Sequence, residues 1–221
     1  MKTQRFEHFH VDFDQARVDQ IALDERHFSV SGASFRLIPS VILPADLGYL
    51  SEQFLTTGTP LHQGWFQNHI HLFGKTINEP RLIQWMSDPG VSYRYSGSLL
   101  KPTAWQPEVE EIRQKLEHLC ADRFNSVLIN LYRNGQDYMG WHSDNEMSLG
   151  PTPKIASISL GAVRDFDVRA NDRAWQCRFR VPSGWALVMS GQSQMISKHQ
   201  LPKRTRLVEP RINLTFRNVL C

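Results

Sequence analysis

The C-terminal stretch Arg211-Ile212-Asn213-Leu214-Thr215-Phe216-Arg217 constrains the fold of this chain more than any other segment. Its alternation of polar and apolar residues is strict. In a strand, where side chains repeat every two residues, Arg211, Asn213, Thr215 and Arg217 share one face while Ile212, Leu214 and Phe216 share the other. A helical period would scatter both sets. The apolar face must be covered, and helices packed outside a sheet would cover it. The polar face carries two guanidiniums, which are costly inside a protein unless they meet partners. A carboxylate partner, held bidentately, removes that cost. Such a strand suits the binding of a small dianion, the alternative being an edge strand with a solvated face.

The surrounding sequence gives the strand a place. Leu47, Leu50 and Phe54 follow Pro44 at helical spacing, and a second helix begins at Pro107 with Val109, Ile112, Leu116 and Leu119 along one face. Strand patterns then follow at 126–133, 155–160, 166–169, 175–181, 185–190 and 212–219, separated by turn signals such as Asn171-Asp172 and Pro182-Ser183-Gly184. Residues 1 to about 35 read as an irregular or short-strand lead-in. Helices first and many short strands later predict a mainly β protein, a double-stranded β-helix or jelly roll buttressed by N-terminal helices.

The 221 residues suffice for one domain with a sizeable core. A net charge of +3 is compatible with nucleic acid without arguing for it. Cys120, Cys177 and Cys221 form an odd set without CxxC spacing, which favours reduced thiols and a cytoplasmic protein. The N-terminus lacks the apolar stretch of a signal peptide, and no apolar run approaches a membrane span, so no membrane association is expected.

A second constellation precedes the arginine strand: His142-Ser143-Asp144, with His199 far downstream. Two imidazoles and one carboxylate make the facial triad that holds non-haem Fe(II) with open positions. The His-x-Asp spacing predicts that both ligands lie on one face of an extended segment. Each member alone has a plainer reading: a polar loop for His142 and Asp144, a surface or capping histidine for His199. Asn130 and Tyr132 share one face of the 126–133 strand and can complete the hydrogen bonding of an acidic cosubstrate; the alternative for Tyr132 is half-buried core. Together, an iron site and a dianion site suggest an Fe(II)/2-oxoglutarate oxygenase.

Asn130-Leu131-Tyr132, His142-Ser143-Asp144-Asn145-Glu146, Ser159-Leu160-Gly161-Ala162 with Arg164-Asp165-Phe166, His199 and the Arg211–Arg217 strand resemble the AlkB family of oxidative nucleic-acid demethylases. Upstream, His71-Leu72-Phe73-Gly74-Lys75, Pro80-Arg81 and Tyr93-Arg94-Tyr95-Ser96-Gly97 resemble the branch that repairs alkylated duplex DNA. The resemblance covers about residues 70–219. It implies one dioxygenase domain over 1–221, with an N-terminal extension and nucleotide-recognition lid over about 1–100 and a jelly-roll catalytic core over about 120–221. It implies that His142, Asp144 and His199 bind Fe(II), and that Arg211, helped by Tyr132 and Thr215, pairs with the distal carboxylate of 2-oxoglutarate. Asn130, Asn213 and Arg217 would surround the cosubstrate's other end. Tyr93 and Tyr95, with Ser96 beside them, match an aromatic lid over the target base. Phe73, next to Gly74, matches a wedge that fills the hole of a flipped base. Glu146 matches an acidic group near the base's exocyclic amine. Lys75 and Arg81 can touch phosphate. Asn145 departs from the acidic residue frequent in duplex-repair relatives, which bears on fine substrate preference. For Phe73, Tyr93 and Tyr95 the alternative is burial in the core.

The implied reaction uses Fe(II), 2-oxoglutarate and O2 to oxidise N-methyl groups of DNA bases, releasing formaldehyde, succinate and CO2. The same chemistry on RNA, protein or a small metabolite is the first alternative, and a non-catalytic nucleic-acid-binding module the second. A monomer is expected, cytoplasmic and nucleoid-associated in a bacterium or nuclear in a eukaryote.

Overall fold

The computed structural model describes residues 1–72, 75–95, 98–204, 206 and 209–220. In chain order its strands are β1 (Lys2–Arg5), β2 (Phe9–Phe13), β3 (Ala22–Leu23), β4 (His27–Val30), β5 (Ala33–Ile38), β6 (His69–Leu72), β7 (Lys75–Asn78), β8 (Leu82–Ser87), β9 (Tyr93–Tyr95), β10 (Ser98–Leu100), β11 (Ser126–Tyr132), β12 (Met139–His142), β13 (Ile155–Gly161), β14 (Asp165–Ala170), β15 (Trp175–Arg180), β16 (Ala186–Gly191), β17 (Ser197–Leu201) and β18 (Arg211–Arg217). The α-helices are α1 (Pro44–Leu55), α2 (Pro60–Gln63), α3 (Pro107–Cys120) and α4 (Ser193–Ile196).

Two antiparallel sheets face each other. One runs β1-β2-β15-β14-β17-β12 and the other β3-β4-β5-β16-β13-β18-β11-β8; β6–β7 and β9–β10 form separate hairpins. The crossovers implied by these orders give the expected helix-buttressed jelly roll. Among the described residues no helix is long and apolar enough to cross a membrane.

The strand sequences explain the layering. In β18, Ile212, Leu214 and Phe216 join a core with Val127, Ile129 and Leu131 of β11, Ala156, Ile158 and Leu160 of β13, and the buried stripes of α1 and α3. The opposite residues of those strands point between the sheets. There Leu128, Ile155, Leu187 and Met189 meet Phe166, Val168, Trp175, Cys177 and Phe179 from the facing sheet. Toward one end this interior turns from apolar to polar, and the site lies there.

Two expectations need correcting. Leu119 is 42% exposed, and Cys120 takes its place on the buried stripe with Val109, Ile112 and Leu116; residue 119 falls at the stripe's margin at 100° per residue. The first 38 residues are no mere lead-in. β2 pairs with β15 and β5 pairs with β16, so this segment extends both sheets. The alternation in Phe9-His10-Val11-Asp12-Phe13, buried at its three apolar positions, was the signal for it.

Candidate active site

His142 ends β12 and His199 sits at the middle of β17. The two are direct cross-strand partners, so their rings meet edge to face at 4.2 Å between centroids. Phe166 stacks on His199 at 5.3 Å. Asp144 does not share a strand face with His142, because β12 stops at His142 after a register irregularity. The carboxylate arrives from the following turn instead. Gln194 Oε1 accepts the Asp144 backbone N–H at 2.9 Å, and Arg217 donates to Asp144 Oδ2 through Nη2 at 2.7 Å and Nε at 3.2 Å. One ligand atom from each of His142, Asp144 and His199 lies within 4.8 Å of the others.

Electrostatics prepare these atoms for a cation. His142 Nδ1 lies 2.8 Å from the Gly140 carbonyl, which can only accept, so a neutral ring leaves Nε2 free as a donor atom for a metal. Burial lowers the pKa of both imidazoles, that of His199 to about 3 with a contribution from the neighbouring His142. Burial alone would raise the Asp144 carboxyl, but Arg217 and the two imidazoles outweigh it and hold the group at about 2. The result is two neutral imidazoles and one ionised carboxylate.

The inward face of β18 completes the cavity. Arg211 is 2% exposed and donates to Ser159 Oγ at 2.9 Å, its guanidinium 5.6 Å from the centre of the Tyr132 ring. Among the described residues no carboxylate lies within ion-pair distance of it, and burial lowers its pKa to about 10. Asn213 donates to Ser157 Oγ at 2.7 Å and to the Ile158 carbonyl at 2.8 Å, and Thr215 donates to Asn213 Oδ1 at 3.1 Å. Asn130, Tyr132, Arg211, Asn213, Thr215 and Arg217 all line the same cavity as His142, Asp144 and His199. Arg217 is pinned to the carboxylate of the candidate metal ligand, a partnership the sequence did not reveal.

The expected substrate residues divide. Arg81 is 1% exposed, pairs with Glu79 at 3.0 Å and donates through Nε to Asn130 Oδ1 at 2.9 Å. It belongs to the cavity wall and cannot serve as a surface phosphate contact, since Glu79 and Asn130 already engage it. Tyr93 is 0% exposed and stacks on Trp85 at 5.2 Å, so it is buried beside the site instead of forming an open lid. Its phenol pKa is raised, first by burial and further by Asp144 and Glu146. Glu146 is half-buried near that phenol, and Asn145 is exposed. Phe73, Gly74 and Ser96 lie outside the described residues, as do the side chains of Lys75 and Tyr95. Sequence reasoning gave no role to Glu79, Gln194 or Arg164. Glu79, two residues before Arg81, was a readable partner; nothing local marks Gln194, which reaches Asp144 from α4.

Comparison with known proteins narrows the chemistry. Residues 34–217 match the model of the 2OG-Fe(II) oxygenase superfamily. The chain is 38% identical over 159 residues to DNA oxidative demethylase ALKBH2 of Homo sapiens, covering 68% of this chain and 61% of that protein. It is 30% identical over 258 residues to the protein of the same name from Arabidopsis thaliana, covering 99% and 80%. The chain spans less than two thirds of the length of the mammalian relatives it matches. Among solved structures, an oxidoreductase of the 2OG-Fe(II) oxygenase family from Burkholderia pseudomallei shares the fold at a TM-score of 0.55 and 14% identity, covering 84% of this chain and 87% of that one.

The residues fit both groups that the family uses with O2. Neutral imidazoles and an ionised carboxylate within 4.8 Å suit Fe(II). The buried Arg211, without a carboxylate among the described residues, suits one end of 2-oxoglutarate. Fold, donor set and sequence match agree: this chain belongs to the 2OG-Fe(II) oxygenase superfamily.

Proposed function

We propose that this chain is an oxidative DNA demethylase that removes N-methyl groups from damaged bases as formaldehyde, its 221 residues acting as one catalytic domain and as a monomer. The reading is carried by one juxtaposition: the two-His, one-carboxylate set opens into the same cavity as Arg211, which meets no carboxylate among the described residues, in a chain whose relatives are named DNA oxidative demethylases.

His142, Asp144 and His199 hold Fe(II), which when bound supplies, with O2 and 2-oxoglutarate, the oxidation of the methyl C–H bond. Arg217 keeps Asp144 ionised and oriented. Arg211 and Tyr132 anchor the distal carboxylate of 2-oxoglutarate, while Asn213 and Asn130 line its path. Glu146 faces the damaged base. An N-methyl group on a pairing nitrogen is hidden in the duplex, so the base must be extruded, and damage lowers that cost by weakening its pairing. Phe73 is the wedge for the vacated stack, a term of about 1–3 kcal/mol per base.

Formaldehyde release from methylated oligonucleotides, single- and double-stranded, with and without added Fe(II) and 2-oxoglutarate, tests the whole reading. Release that needs both additions supports it. Release from methylated RNA alone would move the substrate class. In the same assay Phe73→Ala should lower duplex repair far more than single-strand repair; equal losses with a lowered melting temperature would make Phe73 a core residue.

A further inference from the structure

Arg164 is a buried cation near the site to which the proposed reaction gives no task and, unlike Arg81, it has no carboxylate partner among the described residues. It sits between β13 and β14 and is 3% exposed. Its guanidinium donates to the carbonyls of Asn134 at 3.2 Å, Asp137 at 2.8 Å and Pro202 at 2.6 Å, tying the β11–β12 turn to the β17–β18 connection. The same turn is packed so closely there that a Cβ on Gly135 would lie 2.5 Å from the Arg206 carbonyl. All these acceptors are neutral. Among the described residues no carboxylate pairs with Arg164, and its Nε–H is buried without a partner. The nearby acids are committed elsewhere: both oxygens of Asp137 take Arg133, and Asp165 takes Arg178, Arg180 and Arg204.

The position matters more than the lack of a counter-ion. The guanidinium carbon of Arg164 lies 5.7 Å from the centre of the Tyr132 ring, and that of Arg211 lies 5.6 Å from it. Two buried positive charges therefore flank one phenol; burial lowers the pKa of both, and Arg164 lowers that of Arg211 further. Arg164 does not itself line the cavity; of the three arginines that do, Arg81 is neutralised by Glu79 and Arg217 by Asp144, which leaves Arg211. A surplus of two positive charges in a low-dielectric corner is unfavourable for the empty fold and favourable for an incoming anion.

We propose that Arg164 is a positioning residue for 2-oxoglutarate: it orients Tyr132 and, through it, supplies a second positive charge to the distal carboxylate that Arg211 binds. This rests on the assignment of Arg211 to that carboxylate. The competing role is a plain staple, in which Arg164 merely satisfies three loop carbonyls.

Calorimetric binding of two ligands to the anaerobic Fe(II)-loaded protein separates the cases. The ligands are 2-oxoglutarate and 2-oxobutyrate, which lacks the distal carboxylate. Arg164→Gln should weaken 2-oxoglutarate about tenfold and leave 2-oxobutyrate unchanged within about twofold, because only the first carries the charge at issue. Arg211→Gln should separate the two ligands more strongly still. If Arg164→Gln weakens both alike, or neither, while Arg211→Gln discriminates, Arg164 has no recognition role and the Arg211 assignment stands. If Arg211→Gln fails to discriminate, the distal carboxylate binds elsewhere and both ideas fall. Arg164→Lys keeps the charge without reaching three carbonyls. It should lower the melting temperature yet retain the preference for 2-oxoglutarate; a folded Lys variant that loses that preference makes Arg164 a staple only.

Discussion

His142, Asp144 and His199 illustrate how much a site depends on the state of each residue. The buried His199 and half-buried His142 stay neutral and offer a lone pair, whereas Asp144 stays ionised chiefly because Arg217 stands 2.7 Å away. Asp144→Ala should abolish turnover and weaken Fe(II) binding, read by metal titration and formaldehyde release. It also strands Arg217 without its counter-charge in a buried site, a loss of about 3–5 kcal/mol in stability. Undiminished activity in that variant would sink the metal assignment. Arg211 makes a different demand, since a planar fork serves a carboxylate in a way an ammonium does not. Arg211→Lys should raise the KM for 2-oxoglutarate by about tenfold to a hundredfold, a loss of one or two charge-assisted hydrogen bonds, and leave DNA affinity nearly unchanged. A collapse of DNA binding with unaltered cosubstrate dependence would give Arg211 to the nucleic acid.

Elements divide into those that carry donors and those that hold the carriers in place. β18 places four polar side chains in the cavity because Ile212, Leu214 and Phe216 are locked against the helices behind it. A register slip of one residue would invert both sets, so the apolar pattern fixes where Arg211 and Arg217 point. The N-terminal strands work from the margins, closing the open edges of β15 and β16. A chain lacking residues 1–38 should keep every candidate ligand yet expose two long strand edges. The expected outcome is aggregation on purification and a lower melting temperature, followed by light scattering and thermal melts. A monodisperse truncation with the full-length melting temperature would show that these strands are accessory.

For the whole molecule, the buried site makes folding depend on pH. The His199 pKa is about 3 in the folded protein and 6.5 ordinarily, so between those values the unfolded chain holds the extra proton. Stability from this group is therefore complete above pH 6.5 and declines as pH falls. Asp144, at about 2 against 3.8, adds a loss in the same direction below pH 3.8. Taking metal-free protein from pH 7 to pH 5 should cost about 2 kcal/mol, since about 1.5 units below the ordinary value are each worth about 1.4 kcal/mol. That corresponds to a drop of about 4–8 °C for a chain of this size. A flat melting temperature across that interval would contradict a neutral, buried His199.

By itself the sequence determined the jelly roll, its helix-covered sheet, the inward face of β18 and the residue types of the site. Each of these follows from a short period: alternation for the strands, a 3.6-residue stripe for α1 and α3, and a spaced set of imidazoles and carboxylate. Tertiary structure decided the partnerships. Arg217 meets Asp144 across 73 residues and Gln194 meets Asp144 across 50. Arg81 turns inward to Glu79 and Asn130 and away from phosphate. Tyr93 is buried against Trp85. Arg164 joins Arg211 at Tyr132. A local pattern tells which face a side chain occupies, because neighbours along one element set that face. Which charge it meets there depends on the sheets closing, and only the folded chain brings such distant residues within hydrogen-bonding reach.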